Sequence, residues 1–199
     1  MDSIKYMSLS LNEILENIKL CDLIIKDQEK SICDFANYIL NCSNIHYEDN
    51  LNNNSSIFIS GAGRSGLVAK AFAMRLMHLG FNVFIVGDCA TPTIRNGDLV
   101  IIISKSGKSS SLSQILSKIK GKDNIPLLII GGSSDSDLVK MADSKIVIES
   151  IESENILMGT AFETSSLVLL DTLIFELMNV LGLTEEDLKS RHDNLSSYI

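Results

Sequence analysis

The chain has 199 residues, 45% hydrophobic and 21% charged, with 12 Gly and only 2 Pro, a globular composition that excludes a mainly disordered, collagenous or low-complexity protein. At about 150 residues per domain, this length predicts one domain able to bury a core without disulfides or a structural metal. A net charge of −8 sets up a field that repels nucleic acid and anionic membranes, so an anionic ligand has to be captured by local groups.

The four cysteines, Cys21, Cys33, Cys42 and Cys89, contain no C-x-x-C pair and the three histidines stand at unrelated spacings. Reduced thiols in a cytoplasm are expected, with neither a disulfide framework nor a metal site. The opening residues mix charged and apolar side chains, unlike a secretory leader. The longest apolar stretch, Leu167 to Leu183, is interrupted by Asp171 and Glu176 and falls short of a membrane span.

In chain order, apolar residues recur at helical spacing from about Leu9 to Leu40 and predict one broken helix or two, followed by a polar, Asn-rich loop over 41–56. Short Ile- and Val-rich runs then appear at Ile57 to Ile59, Val83 to Val86, Leu99 to Ile103, Leu127 to Ile130 and Ile146 to Ile148. They read as buried parallel strands. Helical stretches alternate with them near Ser65 to Leu79, Ser110 to Lys120 and Asp135 to Ala142, which predicts an α/β doubly wound layer over 57–150 with its ligand beyond the strand carboxyl ends. C-terminal helices are expected over 159–192, the last opening on Thr184 as N-cap with Glu185, Glu186 and Asp187 in its first turn. One domain spans 1–199.

The first strand runs through Ser60-Gly61-Ala62-Gly63-Arg64-Ser65-Gly66 directly into a helix, a G-x-G-x-x-G pattern in strand–turn–helix context. Such glycines let amides at a helix N-terminus approach a phosphate. A dinucleotide site is one reading, with Asp88 placed for a ribose. The third strand, however, ends in Ser104-Lys105-Ser106-Gly107-Lys108-Ser109-Ser110, a second phosphate-type cradle that a simple dinucleotide domain does not need. It is not a Walker A loop, because the leading glycine would fall at Ile102. A pair of such loops favours a phosphorylated small molecule.

These two loops, with Ala71 to Gly80, Thr91-Pro92-Thr93-Ile94 and Gly97-Asp98-Leu99, resemble a sugar isomerase (SIS) domain, and within it the 6-phospho-3-hexuloisomerases. The likeness extends to Met158-Gly159-Thr160-Ala161-Phe162-Glu163, to Leu181 through Asp187, and to Arg191-His192-Asp193-Asn194-Leu195. The resemblance implies a five-stranded flavodoxin-like sheet, a homotetramer, no cofactor, and interconversion of D-arabino-hex-3-ulose 6-phosphate with D-fructose 6-phosphate, a step of formaldehyde fixation through ribulose monophosphate. It also implies Glu163 as proton acceptor, and Ser65 with Ser104, Lys105, Ser106, Gly107, Lys108 and Ser109 as phosphate ligands. Gly63, Arg64, Thr91 and Thr93 join this set from their positions beside the strand ends. Two departures stand out: the family usually writes the second loop SGSGET, whereas Lys105 here replaces a glycine and Lys108-Ser109 replaces an acidic–Thr pair, and the connection from Ile148 to Gly159 differs.

Moving a ketone between neighbouring carbons needs a group that takes a proton from one carbon and returns it to the next, a task one carboxylate can perform. Glu163 at a helix start fits that role or that of a dipole-stabilising acid. His192 is a candidate for polarising the carbonyl or for ring opening, acting from a neighbouring subunit in view of its place in the C-terminal segment. His78, near the C-terminal end of its helix, is better explained by the helix dipole, and His46 lies in the polar loop; neither is given a role. Arg64, Lys105 and Lys108 either offset the acidic background or lie in solvent. The apolar surface of the N-terminal helices and of the Thr160 helix predicts a homo-oligomer. Alternative readings are a non-catalytic phosphosugar sensor, a related aldose–ketose isomerase, and an NAD module built on Gly61, Gly63, Gly66 and Asp88. Each is to be separated by ligand-induced stabilisation and turnover.

Overall fold

The computed structural model describes residues 4–42, 55–119, 122 and 124–192. His46, most of the Asn-rich loop and Asp193 through Leu195 lie outside them. The N-terminal repeat forms two helices, α1 (Ile4–Asp27) and α2 (Glu29–Leu40). The break falls at Gln28, whose side-chain amide donates to the Val147 carbonyl at 2.7 Å and accepts from the Val147 amide at 2.9 Å. Gln28 thereby pairs an edge strand as a neighbouring strand would, covering backbone groups that would otherwise be open.

Five strands follow, β1 (Ile57–Gly61), β2 (Val83–Ile85), β3 (Leu99–Ser104), β4 (Leu127–Gly131) and β5 (Ser144–Val147), all parallel in the order β2-β1-β3-β4-β5. The Ile- and Val-rich runs are the ones that pair, and β2 is only half-buried because it sits at an edge. Alternate residues serve opposite faces. Ile57, Ile59, Ile101, Ile103 and Ile130 pack beneath α3 (Gly63–His78) and α6 (Thr160–Val180), while Phe58, Val100, Ile102 and Ile129 pack beneath α4 (Ser110–Ile119) and α5 (Asp137–Lys140). The crossover from β2 to β3 contains no helix. Buried Asp98 holds its end, accepting from the Ser56 amide at 2.8 Å and the Arg95 amide at 2.6 Å. The last helix, α7 (Glu185–Ser190), carries the expected Thr184 cap, completed by Asp187 into a reciprocal capping box.

The strand order reverses beside β1, which has β2 on one flank and β3 on the other. A crevice beyond the carboxyl ends is therefore expected there. No described helix is long and apolar enough to cross a membrane.

His78 departs from the helix-dipole expectation. Its side chain is buried, stacks on the His192 ring at 5.3 Å between centroids, and is pushed below the ordinary histidine value first by burial, then by His192 and Arg75. Desolvation outweighs the attraction of the helix terminus for a cation. Since the unfolded chain takes up this proton near pH 6.5 and the native chain resists it, stability is insensitive to His78 above that pH and falls as pH drops through it. His78→Gln is expected to flatten the decline in melting temperature between about pH 7 and pH 5. An unchanged slope would assign the decline to other groups.

Candidate functional site

β1 delivers the chain into α3 through the glycine turn, and the glycines are required by contact. A methyl group at Gly61 would stand 2.7 Å from the Ser65 carbonyl oxygen, and one at Gly66 would stand 2.7 Å from the Gly61 carbonyl oxygen. Only bare backbone lets the first turn of α3 close against the strand end. The helix begins at Gly63 after Ala62, with no side-chain cap, so its first amides point outward without an intrahelical partner. Ser65 is buried in this turn.

A 270 Å³ cavity over Gly61, Gly63 and Gly66 includes Asp88, and a 460 Å³ trough beneath α4 includes Thr91 and Ser111; the two share Ser60, Gly61, Val86 and Gly87. The trough runs between α4, which packs over Phe58 and Val100, and the β2–β3 crossover, which contains no helix. Thr91 lines it while its hydroxyl donates to the Ile85 carbonyl at 2.5 Å. Thr93 is exposed and outside the lining. Asp88 lies 3.5 Å from Lys70.

The second loop leaves β3 immediately beside β1, with Gly61 in register with Ile103. It is shaped internally: the Ser104 hydroxyl accepts from the Gly107 amide at 3.0 Å, the Ser106 hydroxyl from the Lys108 amide at 3.4 Å, and the Ser109 and Ser111 hydroxyls are 2.7 Å apart. Lys108 is exposed. Lys105 turns from the loop to Glu152, with Nζ 2.5 Å from Oε1.

Glu163 stands in the first turn of α6, beside the start of α3. Arg64 Nε is 2.5 Å from Glu163 Oε2. This is a charge contact, because Oε2 is buried yet has no aligned hydrogen-bond partner. The Glu163 side chain is 12% exposed and that of Arg64 55%, so the guanidinium is the partner free to move. Gly159, in left-handed conformation at φ 86°, turns the chain into α6, and a side chain there would crowd the Glu163 carboxylate at 3.3 Å. Glu163 lines neither cavity; it reaches the crevice through the turn that carries Arg64 and Gly63.

The structure thus gathers Gly63, Arg64, Ser65 and Glu163 at one helix start, with Thr91 and the loop of Ser104 to Ser109 at neighbouring strand ends. It does not bring His192 there within one chain. His192 stacks on His78 at the far end of α3, a helix of 16 residues and so about 24 Å long. The neighbouring Arg191 donates to the His78 carbonyl at 3.0 Å. Among the described residues no cluster of three or more His, Cys, Asp or Glu side chains could hold a metal. Sequence reasoning placed Ser60 in the glycine motif without naming it as a ligand residue, and it missed Gly87 as a lining residue and Glu152 as the partner of Lys105, which no local pattern marks.

The SIS domain model matches residues 50–175. A 3-hexulose-6-phosphate isomerase of Bacillus subtilis is 40% identical over 168 residues, covering 80% of this chain and 90% of its own. The protein of that name from Methanocaldococcus jannaschii is 42% identical over 139 residues, covering 70% and 76%. A crystal structure of a Methanococcus jannaschii protein, from which a 3-hexulose-6-phosphate isomerase function was inferred, superposes with a TM-score of 0.78 at 34% identity, covering 93% of this chain and 98% of the other.

Gly66→Ala is expected to cost about 1–3 kcal/mol through the forced separation of α3 from β1. Thermal melting should show both that loss and the disappearance of any stabilisation by phosphate. A variant as stable and as phosphate-responsive as the parent would show that the turn relaxes freely.

Proposed function

The chain belongs to the SIS domain family, in the branch of the 3-hexulose-6-phosphate isomerases, and on that premise we propose that it interconverts D-arabino-hex-3-ulose 6-phosphate and D-fructose 6-phosphate through an enediol. The observation that carries the assignment of the base is the buried Glu163 Oε2, an acceptor with no hydrogen bond to satisfy it, at the start of a helix beside the crevice. Glu163 takes the C2 hydrogen of the 3-ketose as a proton, its bonding pair becomes the C2–C3 double bond, and the carbonyl pair moves to the C3 oxygen, which takes a proton from solvent. The enediol then gives the proton of its C2 hydroxyl to solvent, the C2 carbonyl forms, and Glu163 returns its proton to C3. The substrate is its own oxidant and reductant, and the step balances with no cofactor.

The phosphate is held by the free amides of Gly63, Arg64 and Ser65 and by the hydroxyls of Ser104, Ser106 and Ser109, groups that suit a dianion in a protein of net charge −8. Arg64 leaves Glu163 as substrate enters, which frees the base and presents the guanidinium to the substrate. Holding a remote phosphate applies binding energy to the positioning of the carbonyl. His192 has no part in this step within one chain; an adjacent copy is its only route to a site.

The assembly we propose is a cytoplasmic homotetramer. In support, Leu67 and Met74 on α3, Leu167 and Phe175 on α6, and Leu157 and Met158 before α6 are exposed large apolar side chains flanking the Arg75–Asp171 pair and the Glu163 turn. Light scattering at micromolar concentration should give a multiple of the 21.8 kDa chain, and a monomer would overturn this.

The activity is tested by proton NMR with fructose 6-phosphate in deuterated water, where deuterium should enter at C3 and a 3-ketose should appear. Binding without exchange would favour a phosphosugar sensor. Glu163→Gln should lower kcat by at least about a thousandfold, within the range general-base catalysis supplies, while phosphosugar binding and the melting temperature persist. Retained turnover would remove Glu163 from the mechanism.

A further inference from the structure

Lys105, one of the residues at which the second loop departs from the family pattern, and the connection between β5 and α6, which also departs from it, are joined by one ion pair. Lys105 Nζ lies 2.5 Å from Glu152 Oε1, and the Ser150 hydroxyl donates to the same oxygen at 3.1 Å. The Glu152 carboxyl is held below the usual carboxylate range chiefly by the hydrogen bond from Lys105. The backbone of Lys105 is itself fixed, since its carbonyl accepts from the Gly132 amide at 3.2 Å just beyond β4.

Residues 149–158 form no helix or strand, yet they are fastened at two further points. Asn17 on α1 is buried and pairs with the backbone of Ile151 in both senses, donating to its carbonyl at 3.1 Å and accepting from its amide at 2.8 Å. Glu13, one helical turn earlier, accepts from the Asn155 amide at 2.6 Å and from the Ser153 hydroxyl. The strap ends at buried Ile156 and the left-handed Gly159, whose carbonyl accepts the Glu163 amide at 3.0 Å. What fixes the strap therefore fixes the first turn of α6. Glu13 and Asn17 tie it to the N-terminal helix, whereas the Lys105–Glu152 pair ties it to the phosphate loop.

We propose that Lys105 and Glu152 act together as positioning residues, a bridge that sets the Ser104–Ser109 loop and the Glu163 turn in fixed relation, with the Lys105 ammonium engaged by Glu152 instead of by the substrate phosphate. This rests on the isomerase reading of the site. The two side chains are 35% and 42% exposed, and a pair so open to solvent adds little to global stability. Its effect is on the geometry between two ligand-bearing segments, where small displacements lower rate.

The test is a double-mutant cycle on the full chain with Lys105→Met, Glu152→Gln and both together. Each single variant should lower kcat about three- to tenfold, and the double variant should be no slower than either single. Additive losses would overturn the proposal. So would an unaffected Glu152→Gln enzyme, or a rise in KM confined to Lys105→Met with kcat kept, since the lysine would then bind phosphate itself. Amide hydrogen exchange over 149–158, measured without substrate, supplies a readout independent of turnover. Exchange should quicken in both single variants and return towards the parent rate in the exchanged pair Lys105→Glu with Glu152→Lys. Unchanged exchange in the singles overturns the bridge. Failure of the isomerase reading would show instead as a parent protein without turnover whose exchange still follows the cycle.

Discussion

Everything at the site depends on how closely the end of β1 meets the first turn of α3. The Gly61 and Gly66 backbones touch at a distance no side chain permits, and this contact aims the uncapped start of α3 across the strand ends. β1 lies between β2 and β3, so the same contact sets the helix start at the point where strand order reverses. Arg64 projects from that turn to Glu163, and Glu163 belongs to α6, which packs beside α3 on the same sheet face. One backbone contact in the central strand therefore relates the uncapped amides of α3 to the Glu163 carboxylate.

The electrostatics follow from scarcity. In a chain of net charge −8, three cations near the crevice are engaged, Arg64 by Glu163, Lys70 by Asp88 and Lys105 by Glu152, while Lys118 on α4 lines the trough. In the proposed function, anion capture rests on backbone amides and serine hydroxyls, which attract a phosphate without carrying a full charge. Arg64 is the cation whose release also frees the proposed base, which links substrate arrival to readiness of the carboxylate. A low dielectric around Glu163 strengthens that link, because the buried oxygen has no hydrogen bond to replace the departing guanidinium.

Much of this was legible in the chain by itself. The Ile-rich runs at 57, 99 and 127 are so continuous that they read as a two-sided parallel sheet, and the glycine turn and Ser104 loop fall at the carboxyl ends of its central strands. The Thr184 cap and the break between the first two helices are local signals read over a few residues. The place of His78 at the end of its helix was legible because it is local information, while its burial against the C-terminal segment was not. His192, a candidate by its chemistry and its place in the C-terminal segment, stacks on His78 a helix length away from the start of α3.

The sequence alone determined the strand and helix periods, the glycine positions and the net charge, because each is a property of neighbours along the chain. Only tertiary structure decided that Lys105 meets Glu152, that Asn17 pairs with Ile151, that Gln28 closes the edge of β5, and that Glu163 Oε2 is left unsatisfied beside Arg64. These contacts join residues 47 to 134 positions apart. No spacing rule reaches that far, since closure of such loops is set by packing of the whole core.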